Sequence, residues 1–373
     1  MDRDATSLNP RIAADDDTEA PAPAATRALQ SIAQRTWHLE PGRNNAITDV
    51  PGVRVGHCTV NDPGAGACTG VTVVTARPDI TMRPLPAAVH VINGYGKSTG
   101  LMQIDELGEL ESPIALTGVF GVPTVLQALV EHLMDVDPRI GAADSGRSVN
   151  AVVLECNDSR MNDPRRSRPG MTELQQAFVD ARDDVVVQGA VGAGTGMTTY
   201  GFSGGIGSAS RRITSPSSEH HLGALLLTNF GRREDLVVAG RPIGRLLSEQ
   251  PSEPDPGGSV IVIIATDLPV GAQQLKRLAR RAQNGLARVG CTTSSGSGEL
   301  VLAFSTSETG SLSGESLDTA FRAVAETVEE AVLGSIFHAQ PIKGRAGRRQ
   351  EPFPVQRLPE LMDQASGALN EGW

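Results

Sequence analysis

Gly257-Gly258-Ser259 leads straight into the apolar run Val260-Ile-Val-Ile-Ile-Ala265. A serine hydroxyl at the mouth of a buried strand, preceded by glycine, is what backbone self-cleavage requires. The hydroxyl attacks the preceding carbonyl, and glycine tolerates the backbone angles that bring the two together. Resolving the ester would leave Ser259 as a new N-terminus, whose α-amine, with an ordinary pKa of roughly 7.7–8.0, could serve as a general base. The same residues also read as an ordinary loop entering a strand.

Two further clusters could assist. In Ser294-Ser295-Gly296-Ser297-Gly298-Glu299 a hydroxyl lies two positions before a carboxylate, so Ser297 and Glu299 could form a relay that holds a nucleophile's proton. Thr228-Asn229-Phe230-Gly231 ends another apolar run, where the Asn229 amide could donate to an oxyanion. Each reads equally as a polar turn. A rival nucleophile is Ser98 in Gly96-Lys97-Ser98-Thr99-Gly100, which matches G-x-S-x-G after a strand. Its triad would draw on His132, His220, His221 or His338, none with a distinctive setting. That segment is not a phosphate loop, because position 91 is Val. The glycine-rich run 189–207 lacks the third glycine of a dinucleotide fingerprint, which would fall at Met197.

These residues need strands to hold them. Short apolar runs suggest strands at Val53–Val60, Gly70–Thr75, Ala87–Ile92, Pro113–Thr117, Val152–Cys156, Val185–Val187, Ala224–Thr228, Ser259–Ala265 and Glu299–Ser305. Helical spacing marks Gly121–Val136, a basic Leu268–Val289 and an acidic Ser316–Ala339. Residues 248–258 read as an exposed linker, and residues 1–43 as a flexible arm preceding a single domain from 44 to 373. With no fixed repeat, the expected class is an α/β or α+β sandwich with sheets covered by helices.

The formal net charge of −10 argues against a nucleic-acid partner, and Arg211-Arg212, Arg232-Arg233 and Arg280-Arg281 read as solvated surface pairs. Four cysteines without CxxC spacing suggest neither a zinc site nor a disulfide framework. Cys58, Cys156 and Cys291 read as buried thiols, with a reactive Cys291 as the alternative. With neither a signal peptide nor an apolar run of the ~20 residues needed to span a bilayer, the expectation is a cytoplasmic protein without a membrane partner.

Taken in order, several segments resemble the L-aminopeptidase/D-esterase (DmpA-like) family, which includes the β-aminopeptidases. They are Asn45-Ala-Ile-Thr-Asp-Val-Pro-Gly-Val53 with Val55-Gly-His57, Gly70-Val-Thr-Val73, Glu155-Cys-Asn-Asp158 with Asn162-Asp163, and Val191-Gly-Ala-Gly-Thr-Gly-Met197. Gly204-Gly-Ile-Gly207 with Ala209-Ser-Arg211, Ala265-Thr-Asp-Leu-Pro269 after Ser259, and Ser297-Gly-Glu299 complete the set. The resemblance spans Asn44 to about Leu361. It implies a four-layer αββα sandwich of the DmpA/ornithine-acetyltransferase type, similar to N-terminal-nucleophile hydrolases. It implies self-cleavage between Gly258 and Ser259 into chains 1–258 and 259–373, assembled into a homo-oligomer, a tetramer by resemblance. Ser259 would be the nucleophile, Ser297 and Glu299 its supporting pair, and Asn229 the oxyanion-side residue, with no metal or organic cofactor. Substrates would be small peptides, amino-acid amides or esters with a free amino group. Two positions depart from the pattern: Ser203 where family members carry Lys, and Lys97 where many carry an acid. Two other readings share the scaffold. One is an acyltransferase of the ornithine-acetyltransferase type, against which Ser259 speaks because those enzymes use threonine. The other is an unprocessed, non-enzymatic binding protein.

Overall fold

In a computed structural model that describes residues 22–215, 218–247, 258–307 and 310–370, the chain builds two sheets face to face. In chain order the elements are α1 (Ala22–Thr36), β1 (Arg54–Asp62), β2 (Ala67–Thr75), β3 (Leu85–Gly94), α2 (Leu101–Leu107), β4 (Glu109–Leu110), β5 (Ile114–Gly118), α3 (Val122–Val136), β6 (Val152–Cys156) and α4 (Met171–Asp180). There follow the two-residue strands β7 (Thr198–Thr199) and β8 (Phe202–Ser203), then β9 (Ile206–Ser215), β10 (Ser218–Asn229), α5 (Ile243–Leu246), β11 (Ser259–Thr266), α6 (Ala272–Arg288), β12 (Gly298–Ser305), α7 (Gly314–Phe337) and α8 (Leu358–Asn370).

One sheet has the order β1-β2-β5-β6 and the other β4-β3-β12-β11-β10-β9. Strand β11 shows why the layers stack as they do. Its β-branched residues favour the pleated conformation, and every residue in it is buried, so both faces must be covered. Side chains alternate between faces. Ile261 and Ile263 meet Leu116 and Leu154 of the four-stranded sheet, while Val260, Val262 and Ile264 meet Leu278, Leu286 and Val328 of α6 and α7. On the far side, α3 and α4 cover Val71, Val73 and Val153 of the four-stranded sheet with Val125, Leu129 and Leu174. The result is the expected αββα sandwich. Residues 119–136 are apolar and long enough by composition to pass for a short membrane span; here Val125, Leu129 and Leu133 are spent on the sheet.

Four expectations change. The arm is not free as far as residue 43: α1 buries Ala25, Leu29 and Ile32, and the buried Trp37 donates its indole N–H to Glu329 at 2.8 Å. Residues 1–21 and most of the 248–258 linker lie outside the described residues. Residues 185–187 form no strand, and Val185 and Val187 stay exposed because no neighbouring strand pairs with them. Arg211 is not surface but 1% exposed. It donates to Glu326 (3.1 Å) and Glu330 (2.6 Å) of α7, and its guanidinium lies 4.8 Å over the Trp37 ring. Of the three cysteines read as buried, Cys58 and Cys291 are only half-buried.

Candidate active site

Register brings the sequence-derived residues into one row at the end of the six-stranded sheet. Asn229 on β10 is opposite Ser259 on β11, Ser259 lies beside Gly298 on β12, and Gly298 is opposite Gly94 on β3. By the period of two, Ser259 shares the inter-sheet face with Ile261, and Asn229 shares it with Leu227.

The Ser259 hydroxyl donates to the Gly258 carbonyl at 2.8 Å. The Gly298 N–H reaches the same carbonyl at 3.2 Å and the Ser259 Oγ at 3.4 Å. A backbone donor therefore sits on the carbonyl that the serine would attack. Ser259 is only 6% exposed. Gly258 packs against Phe230, which also lines a cleft of about 320 Å³ with Arg232, Asp235, Cys291, Ser297 and Glu299. The chain thus arrives at Ser259 from the cleft side.

Ser297 and Glu299 are joined as expected: the Ser297 hydroxyl donates to Glu299 Oε1 at 2.9 Å, and both side chains are buried. Sequence reasoning missed Thr293, whose hydroxyl donates to Glu299 Oε2 at 2.7 Å. The Cys291 thiol lies 3.8 Å from Oε1. Burial, then the Glu299 charge, push that thiol up to about 12, so it stays protonated rather than reactive.

Asn229 is held from both sides. Its Oδ1 accepts from the Thr198 N–H at 2.9 Å, and its Nδ2 donates to the Asn157 carbonyl at 3.0 Å. That second bond ties the serine's sheet to the loop after β6. Next along this loop, the buried Asp158 carboxyl is lifted by desolvation to about 6.

Gly96 lies where its chain passes against Gly298, and it is Gly298 whose lack of a side chain that crossing requires. A methyl at Gly298 would fall 2.8 Å from the Gly96 backbone, so two chains cross there with no room between them. The crossing carries the chain to the end of β6, where the Lys97 N–H donates to Glu155 Oε1 at 2.7 Å. Burial raises the Glu155 pKa, opposed by that hydrogen bond and the Lys97 charge. Ser98 Oγ accepts from the Glu155 N–H at 3.2 Å. Three of the four candidate histidines are engaged elsewhere: His132 stacks on Phe178, His220 faces Asp267, and His338 meets the Gly334 carbonyl. Of the two departures, Ser203 is buried and donates to the Gln350 carbonyl, while the exposed Lys97 ammonium folds over its neighbour Tyr95.

Comparison with known proteins places this geometry. Residues 45–350 match the description of peptidase family S58. A β-peptidyl aminopeptidase of Sphingosinicella xenopeptidilytica is 34% identical, over 86% of this chain and 88% of that one. A solved β-aminopeptidase from a Burkholderia species superposes with a TM-score of 0.83 at 37% identity, covering 92% of this chain and 99% of that one. The L-aminopeptidase D-Ala-esterase/amidase of Ochrobactrum anthropi, described as a variant of the Ntn hydrolase fold, gives 0.83 at 31% identity over 90% and 98%. The chain belongs to peptidase family S58.

Proposed function

We propose that this aminopeptidase of family S58 cuts its own chain between Gly258 and Ser259 and then uses Ser259 as the acyl-accepting nucleophile. The observation that carries the reading is the scissile carbonyl itself, which takes both the Ser259 hydroxyl and the Gly298 N–H. Attack by Oγ on the Gly258 carbonyl carbon would form a tetrahedral centre whose oxyanion the Gly298 N–H stabilises. As the C–N bond breaks, the Oγ proton passes to the departing Ser259 nitrogen, leaving an ester and a free amine, and water hydrolyses the ester to a Gly258 carboxylate and the Ser259 hydroxyl.

In turnover the freed amine takes the Oγ proton as Oγ attacks a substrate carbonyl, and the Ser297–Glu299 pair beside the cleft holds that amine's charge. Asn229 lies on the same face as Ser259, and its amide supports the substrate oxyanion. The acyl-enzyme then yields to water. An aminopeptidase also needs an anion for the substrate ammonium. Glu155 is suited to that: Gly96 alone separates it from Gly298, since a methyl on Gly96 would lie 3.4 Å from Glu155 Oε1 and 3.7 Å from Gly298 Cα. Substrates are amides, esters or small peptides with a free amino terminus. The two kinds of relative, β- and L-aminopeptidase, make the α/β choice a matter for assay. The expected homo-oligomer would be tested by light scattering.

The test is intact-protein mass spectrometry of wild type and Ser259→Ala, followed by turnover of alanine and β-alanine p-nitroanilides. Two fragments meeting at Gly258-Ser259, an uncut mutant, and activity only in the cut protein are expected. A wild-type chain that stays whole yet hydrolyses the anilides would sink the reading and bring Ser98 forward.

A further inference from the structure

We infer that Thr293 is a positioning residue for Glu299, held in a strained backbone conformation so that its hydroxyl fixes the orientation in which the carboxylate meets Ser297. The inference rests on the proposed role of Ser297 and Glu299 beside Ser259.

The first support is backbone geometry. Thr293 has φ +54°, in the left-handed region that a β-branched side chain strongly disfavours. Asn45, Tyr200, Ala239 and Ala346 are the other non-glycine residues with positive φ among those described, and none is β-branched. Glycine or asparagine would occupy position 293 at lower cost, so its identity calls for a reason beyond the turn.

The second is the hydrogen bonding. Thr293 Oγ1 holds Glu299 Oε2 at 2.7 Å, while Ser297 holds Oε1 at 2.9 Å. With one oxygen engaged on each side, the orientation of the carboxylate plane is set by the two hydroxyls. The segment between the two hydroxyls is itself pinned. Asn93 Nδ2 donates to the carbonyls of Ser294, Ser295 and Ser297, and the Ser297 N–H donates to Ser294 O at 3.0 Å. Thr293, Glu299 and Ser297 thus close a small ring at the wall of the 320 Å³ cleft. Losing the hydroxyl would free one carboxylate oxygen and open it to water from that cleft.

Strain and hydroxyl can be separated by three substitutions. Thr293→Val keeps the branch and removes the donor. Thr293→Gly removes both and relaxes the backbone. Thr293→Ser keeps the donor. Self-cleavage is followed by intact mass, and kcat, KM and pH profiles are measured on cut protein with alanine and β-alanine p-nitroanilides. Thr293→Val and Thr293→Gly should both slow cleavage and kcat by about tenfold to a hundredfold, the value of a hydrogen bond to a charged group. KM should stay within about twofold, and the pH profile of kcat should differ from that of the wild type. Thr293→Gly should do this without a lower melting temperature, and Thr293→Ser should keep most of the rate. Wild-type kcat and pH profile in Thr293→Val and Thr293→Gly, alongside an inactive Glu299→Gln, would overturn the inference and leave the site reading intact. So would losses that track melting temperature and are not rescued by serine. Full activity in Glu299→Gln would overturn the reading on which the inference rests.

Discussion

Two glycines face each other across the site, and the structure assigns them unequal tolerance. A methyl on Gly96 would meet Glu155, Gly298 and Leu300 at 3.4–3.7 Å, which is ordinary contact. A methyl on Gly298 would lie 2.8 Å from the Gly96 backbone and 3.3 Å from Ser259 Oγ. Relieving that overlap requires the two chains to part by roughly 0.7 Å, given an optimal carbon separation of at least ~3.5 Å. Gly298 supplies the N–H that meets the Gly258 carbonyl, so the displacement falls on the reacting atoms. A misplacement of about 1 Å costs on the order of 10²-fold in rate, so Gly298→Ala should slow self-cleavage by about 10- to 100-fold, some 1.4–2.8 kcal/mol of barrier. Overpacking should also lower stability by roughly 1–3 kcal/mol. Gly96→Ala should change both by little. The assay is a cleavage time course by intact mass, with circular-dichroism melts to establish that each variant is folded. A folded Gly298→Ala that cuts itself at the wild-type rate, or a Gly96→Ala equally impaired, would refute the reasoning.

Glu155→Gln should raise KM for amino-terminal substrates with little change in self-cleavage. In wild type, kcat/KM should fall on the acid side at a pH above the ordinary carboxylate range, because burial raises the Glu155 pKa and its protonated form no longer attracts an ammonium. Equal KM and equal acid limbs in the two proteins would count against that carboxylate. Asp158 is raised from 3.8 to about 6 in the fold, so its contribution to stability is most favourable below 3.8 and is lost as pH rises to about 6. The difference corresponds to about 3 kcal/mol. Urea titrations across that window should show this slope in wild type and not in Asp158→Asn; parallel curves would contradict it. Arg211→Met should cost about 3–5 kcal/mol by leaving Glu326 and Glu330 buried without their cation. A denaturation midpoint within error of wild type would show that the network is dispensable.

The sequence was most legible where one physical demand dominated. Val152–Cys156 coincides with β6, and the apolar run from Ser259 marks β11, because a strand covered on both faces is apolar over most of its length. The 3.6-residue period similarly located α3, α6 and α7. Strand β9 was not legible, since Gly207 is buried there by close packing on the α7 backbone, and Ser208, Ser210 and Arg211 by hydrogen bonds and ion pairs, rather than by apolarity. The docking of α1 was hidden for a similar reason: Trp37 and Leu39 attach to glutamates of α7 that lie far away in sequence and look like surface charges. At the candidate site, Ser259, Ser297, Glu299 and Asn229 could be singled out in the sequence because each sits at a strand end with a hydroxyl, carboxylate or amide to offer, and the resemblance supplied the roles proposed for them. Thr293 was missed because its distinguishing feature is a backbone angle, and Glu155 because its relation to Gly298 exists only where two chains cross.

The strand order β4-β3-β12-β11-β10-β9 has a consequence for how the molecule can be made. Strands β11 and β12, which follow the proposed cleavage point, lie between β3 and β10, which precede it, with pairing along both borders. Cleavage before Ser259 would leave the native protein's geometry unchanged while converting one molecule into two interleaved ones. Folding of the newly made chain is unimolecular, with β10 and β11 tethered in sequence. Refolding of the cut enzyme would be a bimolecular reaction, dependent on concentration, in which neither fragment can complete the central sheet alone. The tether would therefore act once, during maturation, and the mature enzyme's persistence would rest on slow unfolding rather than on its ability to refold.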